Sequence, residues 1–99
     1  MPKKKARDDD PNLRAFGRAV QEMRREIGMT QEDLASKAGI HRTYLSDVER
    51  GQRNLGLQNI VAIAHGLRVY PYHLMKRVTW VGDYRTYEML KKKHGYKIE

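Results

Sequence analysis

Met29-Thr-Gln-Glu-Asp-Leu-Ala-Ser-Lys-Ala-Gly-Ile-His-Arg-Thr-Tyr-Leu-Ser-Asp-Val-Glu-Arg50 reads as two short helices joined at a glycine. Thr30 is placed to accept a hydrogen bond from the backbone N–H of Asp33, whose carboxylate lies in the positive first turn. The pair resembles a capping box with Asp in place of Glu. The spacing predicts a helix from about Gln31 to Ala38, with Leu34, Ala35 and Ala38 making one apolar, small face. Gly39 follows where the helix ends and the chain must take a positive φ. Ile40 drops into the corner. A second helix is predicted from near His41 to near Arg50, with Gly51 as its stop. Its Leu45 and Val48 face inward, and Arg42, Thr43, Ser46, Asp47 and Arg50 face outward. Two helices crossing steeply need a small residue at the contact, which Ala35 supplies; a larger side chain there overpacks.

The major groove of DNA, about 12 Å wide, admits one α-helix. Arg42 stands at the N-terminal end of the second helix, the part that reaches deepest. Its planar fork matches guanine O6 and N7, whereas the dull reading is a phosphate contact or a solvated arginine. Thr43 offers a hydroxyl and a methyl, and Ser46 a modest donor. Asp47 shares this outward face and counts among the base-reading candidates. Gln31 begins a helix whose amide donors and dipole favour a phosphate. Arg50, Asn54 and Lys37 are further phosphate or groove candidates. Tyr44 is long enough to reach the groove edge, but it also lies beside the inward Leu45–Val48 side and reads equally as partial core.

Composition bounds the alternatives. The chain has 99 residues, enough for one small domain with a modest core, and a net charge of +8 that favours polyanions. It has no cysteine, hence no disulfide framework and no cysteine-based metal site. His41, His65, His73 and His94 have no ligand spacing of the H-E-x-x-H kind. No apolar run approaches the roughly 20 residues of a membrane span. Asp8-Asp9-Asp10-Pro11 after the N-terminal lysines gives no signal-peptide pattern, so a cytoplasmic protein is expected. No nucleophile–base pair or phosphate-binding glycine loop supports an enzyme. No cofactor, metal or small-molecule ligand is called for.

Residues 1–11 read as a disordered basic and acidic arm, with Lys3-Lys4-Lys5 as a frayed terminus before it is an arm tracking DNA. A first helix follows, with Asn12 as its candidate N-cap. Leu13, Phe16, Val20, Met23 and Ile27 form its apolar stripe, Arg14, Arg18, Arg24 and Arg25 lie off it, and Gly28 ends it. After a polar loop at 51–56, a fourth helix spans about Leu57 to His65. Ile60, Ile63, Ala64 and Leu67 face inward there, and Gly66 is its C′ residue. Pro71 suits the first turn of a fifth helix carrying Leu74 and Val78. The fold class is therefore all-α. It comprises a five-helix domain at 12–78 and an extension at 79–99 in which Asp83 can cap a sixth helix through about Lys93. Tyr84, Tyr87 and Leu90 or Lys91 would share a face of that helix. Tyr72, Leu74, Met75, Val78 and Trp80 give more apolar area than a small core requires. They are read as a homodimer surface, with a stacking platform for single strands as the other reading of the aromatics.

Thr30-Gln31, Leu34-Ala35, Gly39, Leu45, Val48-Glu49 and Gly51 carry a resemblance to the helix-turn-helix of the phage repressor and Cro family, the Xre-type regulators. It extends over roughly Leu13–Met75. His41-Arg-Thr-Tyr-Leu-Ser46 and Val48-Glu-Arg-Gly-Gln-Arg-Asn54 are especially similar to the controller proteins of restriction–modification systems. The resemblance implies that Arg42, Thr43, Tyr44 and Arg53 contribute to operator recognition. It also implies that Gln31 bonds a phosphate while supporting a side chain of the reading helix, and that Glu49 pairs with Arg24 of the first helix. A module this small implies a two-fold dimer on half-sites about 34 Å apart. The expected partner is a double-stranded DNA operator. The other function considered is an antitoxin or interaction protein whose residues 79–99 bind a protein partner.

Overall fold

A computed structural model of the chain, described over residues 10–78, 88–89 and 91–93, contains helices α1 (Pro11–Glu26), α2 (Gln31–Ala38), α3 (Arg42–Glu49), α4 (Leu57–Gly66) and α5 (Pro71–Lys76). The expected all-α architecture is thus present, with each of α1 to α5 starting within about two residues of its sequence-predicted position.

The start of α1 corrects one expectation. Its N-cap is Asp10, not Asn12: Asp10 Oδ1 accepts from the backbone N–H groups of Asn12 at 2.9 Å and Leu13 at 3.2 Å. Pro11 then occupies the first helical position, where its fixed φ suits the helix and its missing N–H costs nothing. A carboxylate also complements the positive helix end better than an amide. The helical domain accordingly begins before residue 12. The capping box of α2 is complete. Asp33 N–H donates to Thr30 Oγ1 and Thr30 N–H to Asp33 Oδ2, both at 3.0 Å. These bonds from the Thr30 backbone and side chain hold the Asp33 carboxyl below its usual range. Gly39 ends α2 at φ +72°, the left-handed conformation that a side chain would strain.

The core gathers Phe16, Ala19, Val20 and Met23 from α1, Leu34 and Ala35 from α2, and Leu45 and Val48 from α3. Ile63, Ala64, Leu67 and Leu74 complete it from the α4–α5 side. The stripe of α1 is buried only in its middle: Ile27, at the C-cap, is 51% exposed. Ala35 lies buried where α2 packs on α3 and α4. Ala35→Leu is expected to lower stability by about 1–3 kcal/mol, because a close-packed contact has no room for three more carbons. Urea unfolding checks this, and an unchanged midpoint would show that the contact has slack.

Gly66 plays a different part from the cap expected of it. It lies inside α4, where a Cβ would stand 2.8 Å from Leu34 Cδ1 and 3.2 Å from Ala38 Cβ. It lets α4 close on α2. The left-handed residue after α4 is Arg68, at φ +63°. Arg68 and Val69 donate backbone bonds to the carbonyls of His65 and Ala64, both at 3.0 Å. Sequence could not separate these roles, since a glycine near a helix end serves close packing and capping equally well.

Residues 88–89 and 91–93 are helical, and Lys91 Nζ lies 3.0 Å from Glu88 Oε1. The arm at 1–9, Trp80, the Asp83 cap, Tyr84, Tyr87 and Leu90 lie outside the described residues. Among the described residues, no helix is long and apolar enough to cross a membrane.

Candidate nucleic-acid interface

Helix α3 is seated from beneath by apolar contacts and an ionic bridge. Leu45 and Val48 are fully buried. Beside them Glu49 Oε2 accepts from Arg24 Nε at 2.7 Å, and Oε1 accepts from Arg24 Nη2 at 3.0 Å. The same Oε1 accepts from Gln31 Nε2 at 2.9 Å. Arg24 Nη1 donates to the Met29 carbonyl at 2.9 Å, so one guanidinium ties α1 to both α3 and the turn before α2. The pair is nearly sealed, with side-chain exposures of 9% for Arg24 and 1% for Glu49. Hydrogen bonding to Glu49 raises the Arg24 guanidinium above its already high value, outweighing the opposing effect of burial. Planar, bidentate pairing is the geometry in which an arginine tolerates burial.

The bridge fixes what α3 presents on its other side. Arg42 and Thr43 stand exposed in its first turn, with Ser46 half-exposed one turn on. Arg42 shares a shallow groove with Arg24, Met29, Thr30, Gln31 and Glu32, so the starts of α2 and α3 open onto one surface. Gln31, expected at a phosphate, has its amide nitrogen on Glu49. Lys37 is exposed in the last turn of α2, and Asn54 is exposed in the loop after α3.

The remaining candidates are tied to one another. Asp47 accepts from Arg50 Nη2 through Oδ1 and from Arg53 Nε through Oδ2, the latter at 3.3 Å. Arg50 also donates to Ser46 Oγ at 3.0 Å. The Arg53 guanidinium lies 5.1 Å from the centre of the Tyr44 ring, within cation–π range. Tyr44 is half-buried against the core, and its hydroxyl accepts from Asn59 Nδ2 at 2.9 Å. The Tyr44 ring thus packs inward, as the partial-core reading has it, while its flank lies beside the Arg53 cation. Asn59 escaped the sequence reading, since nothing in its spacing sets it apart from an ordinary exposed residue of α4.

The described residues of the expected dimer surface differ in burial. Leu74 is wholly buried and belongs to the core of the single chain, because α5 is short and its one inward position must close the domain against α1 and α4. Val78, just past α5, packs half-buried on that core. Tyr72 and Met75 are exposed, at 62% and 45%. Tyr70, at 69%, joins them, and its ring stacks near those of Tyr72 and His73, with centroids 6.0 and 5.8 Å away. Val61 and Tyr70 also line a groove with His65, Arg68, His73 and Lys76.

Residues 20–74 match the helix-turn-helix family, and the chain belongs to that family. Within the family it is similar to the control protein C.BamHI of Bacillus amyloliquefaciens. The two are 45% identical over 65 residues, which make up 65% of this chain and 80% of that one. It is also similar to the restriction-modification controller protein C.AhdI from Aeromonas hydrophila, at 44% identity and a TM-score of 0.61. That match covers 63% of this chain and 94% of that one. The structure of C.Esp1396I bound to a 19 base pair DNA duplex matches at 38% identity and a TM-score of 0.61, covering 69% and 96% of the two chains. The resemblance to restriction–modification controllers read from residues 30–54 therefore extends to the fold.

Proposed function

We propose that this chain is a sequence-specific double-stranded DNA-binding transcriptional regulator of the restriction–modification controller kind. It acts as a homodimer on a two-fold symmetric operator, in the cytoplasm, and is a binding protein rather than an enzyme. One observation carries the reading: α3 is pinned from below by Leu45, Val48 and the Glu49 bridge while Arg42 and Thr43 stand exposed at its leading end. A helix held rigidly on one side with a bare polar tip on the other is what major-groove insertion requires. Arg42 reads a base edge, with Thr43 and Ser46 beside it, and Tyr44 contributes through its flank. Lys37, Arg50 and Asn54 lie at the backbone, and Arg53 contributes to operator recognition from the loop after α3. Gln31 keeps one Nε2 hydrogen on Glu49 and offers the other, with the backbone N–H groups at the start of α2, to the phosphate. The dimer surface lies on α4 and α5, where Val61, Tyr70, Tyr72 and Met75 leave apolar area uncovered.

Selection of bound sequences from random duplex DNA at about 150 mM salt tests the reading. Enrichment of a two-fold symmetric motif with half-sites about one helical turn apart is the expected result. Recovery of no motif, with only weak salt-sensitive binding, overturns it. In the same assay Arg42→Ala is expected to lose about 1–3 kcal/mol of operator affinity and to relax preference at one base-pair position. Equal weakening on operator and random DNA would instead make Arg42 a phosphate contact.

A further inference from the structure

A carboxylate on the outward face of a DNA-reading helix is electrostatically out of place, because it repels the phosphates that supply most of the binding energy. Asp47 is such a residue, and its surroundings give it work to do. Its side chain is only 15% exposed, although it lies on the polar side of α3. The loop after α3 is anchored on the same residue, since Gln52 N–H donates to the Asp47 carbonyl at 2.8 Å. From that loop Arg53 returns to Asp47, with its Nε 3.3 Å from Oδ2. Its guanidinium carbon lies over the Tyr44 ring, 5.1 Å from the ring centre, and that ring is held in turn by Asn59 of α4. A guanidinium engaged at Nε and flanked by an aromatic ring is restrained in how it turns, and its Nη1–Nη2 edge is a second pair of donors. That edge is the fork that matches guanine O6 and N7, or two phosphate oxygens.

We propose that Asp47 is a positioning residue for operator recognition. Acting with Tyr44 and Asn59, it aims the terminal edge of Arg53 at the DNA before contact is made. This assignment rests on the DNA-binding reading above and replaces the expectation that Asp47 itself reads a base. Pre-orientation removes the rotamer freedom that a long loop arginine otherwise loses on binding. The second arginine on the carboxylate, Arg50, balances its charge, so the aiming device adds little net repulsion.

The proposal and simple repulsion differ in sign. If Asp47 only repels phosphate, Asp47→Ala tightens operator and random DNA alike. If Asp47 aims Arg53, Asp47→Ala weakens operator binding about tenfold, the size of one charge-assisted hydrogen bond. Random-DNA affinity then stays level or rises. The decisive measurement is a double-variant cycle on the selected operator, with Asp47→Ala, Arg53→Ala and both together. The expected result is that Asp47→Ala adds no loss once Arg53 is gone. Independent, multiplying losses overturn the proposal, as does parallel tightening on both DNAs. Asp47→Asn keeps an acceptor for Arg53 Nε and is expected to fall between wild type and Asp47→Ala. It also serves for the cycle if the alanine variant unfolds. A wild-type chain that selects no sequence would sink the DNA-binding reading and this one together, whereas a selecting wild type with multiplying losses sinks only this one.

Discussion

Glu49→Ala is expected to destabilise the domain by about 3–5 kcal/mol, because it strands the buried Arg24 guanidinium without its counter-charge. Two of the lost bonds come from Arg24 Nε and Nη2 and a third from Gln31 Nε2. Only the Arg24 bond to the Met29 carbonyl survives, and a single neutral acceptor cannot replace a carboxylate. For a domain of this size the loss corresponds to a fall in Tm of more than about 12 °C, measurable by circular dichroism. The instructive companion is the double replacement Arg24→Met with Glu49→Leu. Filling the same volume with apolar groups removes both desolvation penalties at once, so the double variant is expected to be far more stable than Glu49→Ala. A Glu49→Ala protein that melts within a few degrees of wild type would mean that water reaches Arg24 and that the seal around it is incomplete.

Gly17→Ala is expected to cost about 3 kcal/mol, against the ordinary rule that alanine is the better helix former by roughly 1 kcal/mol. The sign is reversed by what lies opposite. A Cβ on Gly17 would stand 2.7 Å from the Glu49 carbonyl oxygen and 2.8 Å from its carbonyl carbon, and would collide with the Val48 carbonyl as well. These are backbone atoms with no rotamer to escape into, so α1 and α3 must part. Parting them draws Arg24 away from Glu49 and tilts the surface that carries Arg42, so operator affinity is expected to fall with stability. Chemical denaturation checks the first effect and a binding titration the second. A stabilised Gly17→Ala protein would disprove the close approach of the two helices.

What was legible in the sequence was local. Thr30 and Asp33 announce a helix start three residues apart, and Gly39 announces its end, because both signals are completed within one turn of chain. The α3 pattern of Leu45 and Val48 sets the outward position of Arg42 by periodicity alone. Asp10 was also within reach: Pro11 immediately after it marks the first helical position, but the acidic run Asp8–Asp10 reads as solvated charge. The misplacement of Leu74 is of another kind. In a helix of six residues one apolar position closes the core and the next is exposed, and composition cannot tell which is which. The links among Asp47, Arg53, Tyr44 and Asn59 were out of reach, because they join a helix, a loop and a second helix whose relative placement no periodicity encodes. Gly17 lies between: a glycine inside a helical pattern hints at a close neighbour without naming it.

The division of labour along α3 has a bearing on how such proteins diversify. Leu45, Val48 and Glu49 hold the helix, and none of them faces the groove. Arg42 and Thr43 are exposed, and neither belongs to the core. On the proposed reading, recognition and folding are therefore written in different letters of the same eight-residue word. A lineage can drift through new operators by changing the exposed letters, meeting no penalty in folding, provided the buried ones are left alone. The exception is Asp47, whose replacement alters the aim of a neighbour, so a shift there reshapes preference at a position it never touches.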